Sequence, residues 1–242
     1  MLVLILSDIH ANIVALEAVL ADAPDVDAVW CLGDLVGYGP FPNECVLRVR
    51  ELPNLLCLIG NHDQAVLGAI ATSRFNPDAG DVVTWTRSRL DEDNRTFLQS
   101  LPSKITFQDF TLAHGSPNQP VWEYILDPIT ADRNFDNLQT NYALVGHSHI
   151  PLIFHRLSED SFAMPLGVHW RKPMQLIPRM ILNPGSVGQP RDGDPRASYA
   201  LLDLDEGRWE MRRAAYDVET VQRAILRAGL PDRQALRLAV GI

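Results

Sequence analysis

The sequence predicts a mixed α/β protein with parallel strands early and antiparallel strands late, and three observations carry this reading. Short apolar runs alternate with helical patterns over the first sixty residues, strand-like runs dominate the second half, and short polar clusters directly follow several apolar runs. With 242 residues, 46% of them hydrophobic, the chain can bury a sizeable core, and its length fits one domain over 1–242. A formal net charge of −9 argues against non-specific binding to nucleic acid or to a membrane surface, since both require a basic face.

The opening LVLIL run reads as a strand over 2–7, because it lacks the basic start and cleavage-like end of a signal segment. A helix near 12–22, a strand near 27–32, a helix near 42–52 entered at Pro42 and a strand near 54–59 then form parallel βαβ units. Segment 62–100 is helical, interrupted by a loop at 72–80 that contains Asn76, Pro77 and Gly80, with Asp78 or Asp81 expected to cap the next helix.

From Lys104 onward, strand-like runs fall near 104–107, 109–113, 142–146, 151–156, 161–166, 174–177, 179–183, 198–204 and 207–214, with one helix near 131–139. The stretch 158–175 reads as a hairpin whose Trp170 or Arg171 could shape a substrate rim. Helices over about 217–240 place Val218, Val221, Ile225 and Leu226 on one face before Pro231, and are expected to pack on a sheet edge. No apolar run approaches the roughly 20 residues that span a bilayer, so the expected location is cytoplasmic. Cys31, Cys45 and Cys57 lie in strand-like or helical segments without a CxxC pair, which predicts buried free thiols.

Five of the seven histidines sit in polar clusters after apolar runs: LVLIL-SDIH, VWCL-GD, LLCLI-GNHD, FTLA-HGS and YALV-GHSH. Asp8, His10, Asp34, Asn61, His62, His114, His147 and His149 therefore fall at strand carboxyl ends, where α/β sheets bind ligands. Two aspartates, an asparagine and four histidines offer oxygen and nitrogen donors without a thiolate, which suits Mn, Fe, Zn, Co or Ni. Seven ligands exceed one tetrahedral zinc but serve two ions if Asp34 bridges them. Two divalent ions against Asp8 and Asp34 leave a positive pocket in an acidic chain, attractive to a phosphorylated small molecule.

These clusters resemble the blocks of the calcineurin-like metallophosphoesterase superfamily, which run DxH, GD, GNH(D/E), H and GHxH. They stand here as Asp8-Ile9-His10, Gly33-Asp34, Gly60-Asn61-His62-Asp63, His114-Gly115 and Gly146-His147-Ser148-His149, joined by the companion turn Asn183-Pro184-Gly185-Ser186. The resemblance implies a four-layer α/β/β/α sandwich of two mixed sheets flanked by helices. It further implies a dinuclear centre, with manganese favoured for activity. One ion would be held by Asp8, His10, Asp34 and His149, the other by Asp34, Asn61, His114 and His147. His62 would be the catalytic residue, stabilising the transferring phosphoryl group and protonating the leaving oxygen while a metal-bridging hydroxide attacks phosphorus directly.

The implied activity is hydrolysis of a phosphodiester, nucleotide or phosphoanhydride, as in the small bacterial phosphodiesterases and diadenosine-polyphosphate hydrolases of the family. Protein serine/threonine phosphatases carry GDYVDRG where this chain has GDLVGYG, so Gly37 and Tyr38 replace the aspartate and arginine. That disfavours a protein phosphatase, and the retained His62 disfavours a non-catalytic scaffold on the same fold. Tyr38 could face a nucleotide base, or simply turn the chain into the Pro42 helix. Arg191 and Arg196 could clamp a distal phosphate, or pair with Asp192 and Asp194 in a solvated loop. Asp63 could orient a ligand, or simply be a first-turn aspartate favoured by the helix dipole. His155 and His169 lie outside the clusters and are read as structural or surface residues.

Overall fold

The computed structural model describes all 242 residues. The first strand, β1 (Leu2–Leu6), is followed by α1 (Ile13–Asp22), β2 (Ala28–Cys31), α2 (Pro42–Arg50) and β3 (Leu56–Cys57), with β1, β2 and β3 parallel. The last strand is shorter than the expected 54–59, because only Leu56 and Cys57 reach register with β2 before the chain turns into the Gly60 cluster. Next come α3 (Asn61–Leu67), a 3₁₀ turn (Thr72–Arg74), α4 (Pro77–Arg89) and α5 (Glu92–Ser100). The cap of α4 is Asn76, whose side chain accepts from Ala79 N–H at 3.0 Å, not Asp78 or Asp81. Pro77, already at the first helical position, starts that helix earlier than expected.

The strand-rich half comprises β4 (Lys104–Phe107), β5 (Phe110–Ala113), α6 (Pro128–Asn137), β6 (Tyr142–Leu144), β7 (Pro151–His155), β8 (Met164–Leu166), β9 (Met174–Gln175), β10 (Met180–Pro184), β11 (Ala197–Asp203) and β12 (Arg208–Ala214). Two six-stranded mixed sheets result, in the orders β3-β2-β1-β11-β12-β9 and β4-β5-β6-β10-β7-β8. Segment 158–175 is no hairpin: β8 pairs with β7 in one sheet and β9 with β12 in the other, so the chain crosses between sheets there.

The alternation of side chains along β1 builds the layers. Val3 and Ile5 face the second sheet and pack with Trp30, Leu112, Leu144, Leu182 and Trp209. Leu4 and Leu6 point the other way, into a cluster with Leu16 and Val19 of α1 and Val46 and Val49 of α2. On the far face of the second sheet, Phe135 and Leu138 cover Val145, Phe154 and Ile181. The order is helix, sheet, sheet, helix, the sandwich that the resemblance implied.

The final helices, α7 (Val218–Arg227) and α8 (Asp232–Leu238), depart from expectation. Val221, Ile225, Leu230, Ala235 and Leu238 pack against Val82 of α4, so the tail rests on helix rather than on a sheet edge. Leu226 is 51% exposed and lies off the buried face. No helix is long and apolar enough to cross a membrane. All three cysteines are free and buried.

Candidate active site

The loops that leave β1, β2, β3, β5 and β6 converge at one end of the paired sheets. They bring Asp8, His10, Asp34, Asn61, His62, His114, His147 and His149 together, each no more than 4% exposed. Two clusters emerge, Asp8–His10–Asp34–His149 and Asp34–His114–His147, whose donor atoms lie within 4.8 Å of one another and which share Asp34. Asn61 joins the second cluster, its Oδ1 lying 3.0 Å from His114 Nε2.

The backbone is bent to make this possible. Asp8, His10, Asp34, His147 and His149 have φ of 53°, 49°, 55°, 64° and 60°. Left-handed residues other than glycine cost about 1–3 kcal/mol each and persist where the surroundings fix them. The surroundings here are hydrogen bonds: Asp8 N–H donates to Gly33 C=O at 3.0 Å and His10 N–H to Asp34 C=O at 2.9 Å, tying the β1 and β2 loops together. The Asn183–Ser186 turn braces them from outside. Asn183 Nδ2 donates to Gly146 C=O at 2.8 Å, and Ser186 Oγ donates to Asp8 C=O at 2.8 Å.

Asp63 holds the β2 loop. Its carboxylate accepts from the N–H groups of Asp34, Val36 and Gly60 at 2.9, 3.0 and 2.9 Å. Burial, and then the adjacent Asp34 charge, push its carboxyl up to about 7 against the pull of the Gly60 and Val36 N–H groups. Gly60 itself has no room for a side chain, since a Cβ would lie 2.0 Å from Asp34 Oδ1.

The donor atoms turn towards a common interior. Nδ1 of His10, His114 and His149 lies 3.1, 2.9 and 2.6 Å from the carbonyl oxygens of Val36, Leu32 and Gln189. A carbonyl only accepts, so each Nδ1 carries a proton and each Nε2 faces inward, where it can offer a lone pair to a metal once it carries no proton. His10 Nε2 and His149 Nε2 stand 3.0 Å apart in this way. The carboxylates repeat the pattern. Asp8 Oδ2 accepts from Ser7 Oγ at 2.7 Å and His147 N–H at 3.1 Å, and Asp34 Oδ1 accepts from His62 N–H at 2.9 Å. The remaining oxygens, Asp8 Oδ1 and Asp34 Oδ2, are buried without hydrogen-bond partners, as is His147 Nε2. Buried lone pairs facing one another are costly unless a positive ion fills the space between them, so the residues fit a divalent metal centre.

The electrostatics agree. Burial opposes ionisation of Asp34, but the facing imidazoles, His114 foremost, outweigh it and hold its carboxyl below the usual range. Burial likewise works against charge on His114, yet Asp34 and Asp8 push it up to about 9. Burial, reinforced by the charge of His114, takes His147 down to about 3.

His62 stands beside the clusters rather than in them. Its ring centroid lies 4.4 Å from Tyr38 and 5.0 Å from His10, and it lines a cleft of about 340 Å³ that opens from the centre. Burial lowers it to about 4, with help from His149 and Arg191 and against the pull of Asp34.

Tyr38 and Arg191 both border this cleft, with the Arg191 guanidinium 5.5 Å from the centre of the Tyr38 ring. Arg196 does not, being paired with Asp194. Arg171 pairs with Asp22 and Trp170 stacks under Arg213, so neither forms a rim to the site. Sequence reasoning missed Arg74, Trp122, Tyr124, Arg233 and Arg237, which also line the cleft. The spacing of Arg233 and Arg237, four apart on one helix face, was the available signal.

Known proteins place the chain among relatives. Residues 1–207 match the calcineurin-like phosphoesterase superfamily domain. An uncharacterized protein of Methanocaldococcus jannaschii is 36% identical over 99% of this chain and 98% of its own length. A symmetrical bis(5'-nucleosyl)-tetraphosphatase of Yersinia pseudotuberculosis is 27% identical, over 67% of this chain and 64% of its own. The crystal structure of a metallophosphoesterase from Sphaerobacter thermophilus is 43% identical and superposes with a TM-score of 0.90, covering 100% of this chain and 99% of that one. With the domain match over most of its length and the Asp and His clusters in place, the chain belongs to the calcineurin-like phosphoesterase superfamily and is a hydrolase of phosphoric esters.

Proposed function

We propose that this protein is a dinuclear metal-dependent phosphoesterase that cleaves a phosphodiester, nucleotide or phosphoanhydride. Asp8, His10, Asp34 and His149 hold one divalent ion; Asp34, Asn61, His114 and His147 hold the other. The observation that carries this reading is the pair of clusters sharing Asp34, with unpartnered oxygen and nitrogen atoms turned inward. Manganese is the favoured metal for activity. When bound, two such ions acidify a shared water towards neutrality and neutralise charge on the phosphoryl group.

The chain's own residues do the rest. Asp63 and the Asn183–Ser186 turn fix the ligand loops, so the site needs little rearrangement when charge develops. The backbone N–H of His62 is tied to Asp34 Oδ1, which holds its ring at the mouth of the cleft beside the shared ligand. From there the imidazole stabilises the transferring phosphoryl group and delivers a proton to the leaving oxygen. An anionic phosphoryl group beside the ring opposes the effects of burial and Arg191, favouring the protonated form once substrate is in place.

The neighbouring serines are engaged elsewhere, which supports direct attack by water. Ser7 Oγ donates to Asp8 Oδ2, Ser186 Oγ to Asp8 C=O, Ser148 Oγ to Ile150 C=O and Ser116 Oγ to Glu123, so none has a histidine base. A nucleotide anhydride, the substrate type named for the Yersinia relative, is supported by the arginine and tyrosine at the mouth.

The test is hydrolysis of bis-p-nitrophenyl phosphate with manganese. Turnover should be abolished by chelator, and His62→Ala should lower it by about 10²–10⁴-fold. Absence of metal-dependent turnover on a panel of phosphoesters, with His62→Ala matching the parent, would sink the proposal.

A further inference from the structure

The cleft beside His62 has a charge opposite to that of the chain. The protein carries a formal net charge of −9, yet the cleft is lined by Arg74, Arg191, Arg233 and Arg237 against one acidic side chain, Asp78. The hydrogen-bond acceptors of Arg191 are neutral, Tyr38 Oη at 3.2 Å and Gln189 Oε1 at 2.9 Å, and its buried Nε has no partner. Arg191 and Arg237 lie 5.5 and 5.8 Å from the same Tyr38 ring, two like charges on one aromatic. Burial, and then repulsion from Arg191, lower Arg237 from its ordinary value. Such a gathering of guanidinium groups is costly without an anion between them.

Two of these arginines come from α8, which lies beyond residues 1–207, the part matched by the family domain. The helix is held over the cleft from several sides. Ala235 and Leu238 pack into the cluster with Val82, and Gln189 Nε2 donates to Gln234 Oε1 at 3.2 Å. Gly193 N–H donates to Gly241 C=O at 2.9 Å, so the end of the chain is bound to the loop that carries Arg191. The arginines of both elements thus form one wall.

We infer that α8 completes the substrate pocket, and that Arg233 and Arg237 act with Arg191 to hold a chain of phosphates attached to the phosphoryl group being cleaved. This rests on the phosphoesterase reading for the identity of the reacting group, but the arginine wall itself needs no metal. A single phosphate at the metal centre would leave the outer guanidinium groups unused. A polyphosphate chain extending along the cleft engages them by charge-assisted hydrogen bonds. The helix is therefore a determinant of specificity, separating polyphosphorylated substrates from simple esters.

Calorimetric titration of the metal-free full chain with inorganic tripolyphosphate and with inorganic monophosphate tests this without turnover. The parent should prefer tripolyphosphate by about a hundredfold, as expected for two additional charge-assisted contacts of about tenfold each. Arg233→Gln with Arg237→Gln should reduce that preference to within about threefold. Arg233→Gln alone, at an exposed position that does not risk the fold, should cost about tenfold. Arg223→Gln, on the exposed face of α7 outside the cleft, should keep the parent's preference. A parent without preference, or an Arg233→Gln variant that retains it in full, overturns the proposal. Adenosine triphosphate titrated in parallel distinguishes a nucleotide-borne chain from an inorganic one, and the proposal stands only if one of the two loses binding with the arginines. Failure here leaves the hydrolase reading intact, whereas a metal-loaded parent inactive on a panel of phosphoesters and phosphoanhydrides overturns that reading alone.

Discussion

Gly37 lies directly against His62: a Cβ on the glycine would sit 2.6 Å from the ring's Nδ1, an atom that is buried without a hydrogen-bond partner. His62 is thus positioned by close packing and by its own backbone bond to Asp34, with no carboxylate beneath the ring. Gly37 also has φ +94°, so any side chain there meets both a clash and backbone strain.

Gly37→Ala should accordingly displace the His62 ring while leaving the metal ligands in place. Turnover is expected to fall by about 10²-fold, the scale of losing a positioned general acid. The strain of about 1–2 kcal/mol should lower the melting temperature by about 2–8 °C. Steady-state kinetics beside thermal melts and metal analysis check this, and full activity in the variant would show that the packing does not position His62.

Asp63→Asn should loosen the β2 loop. The carboxylate accepts three backbone N–H groups, and an amide turns an N–H towards at least one of them. The expected loss is about 2–3 kcal/mol of stability and about 10–100-fold in metal affinity, because Asp34 is no longer oriented. Denaturant unfolding and chelator competition measure the two effects separately.

Metal binding should release a proton. Asp34 and Asp8 hold His114 protonated up to about pH 9, against the opposing effect of burial, whereas His147 falls to about 3 and is neutral at pH 7. A metal ion displaces the His114 proton, so affinity should rise about tenfold per pH unit from neutrality and flatten as pH passes about 9. Titration of manganese into the metal-free chain, in buffers of different ionisation enthalpy, should give about one proton released at pH 7. No proton release at pH 7 would mean that His114 is already neutral.

The site was legible in the sequence because its residues are local signals. Apolar runs ending in SDIH, GD, GNHD, HGS and GHSH must become strands with polar loops at their ends, and strand order then brings them together. The left-handed backbone of Asp8, His10, Asp34, His147 and His149 was not legible, since it is imposed by bonds between loops distant in sequence. The same limit hid the course of segment 158–175, where β8 and β9 pair with β7 and β12 in different sheets, so alternation alone reads as a hairpin. Arg233 and Arg237 were given no role by the sequence, since nothing local ties the tail to the clusters. Tertiary packing of Leu238 and Ala235 against Val82, with the bonds of Gln234 and Gly241 to the Arg191 loop, brings them to the cleft.

The central claim is the division of labour between His62 and the seven ligands, and one paired measurement tests it most directly. Elemental analysis of manganese-reconstituted His62→Ala and His147→Ala, each beside its turnover of bis-p-nitrophenyl phosphate, separates holding metal from moving a proton. The expected result is that His62→Ala keeps the parent's metal content and loses turnover, whereas His147→Ala loses metal and turnover together. Equal loss of metal from both variants would contradict the assignment of His62 as the proton donor outside the metal shell.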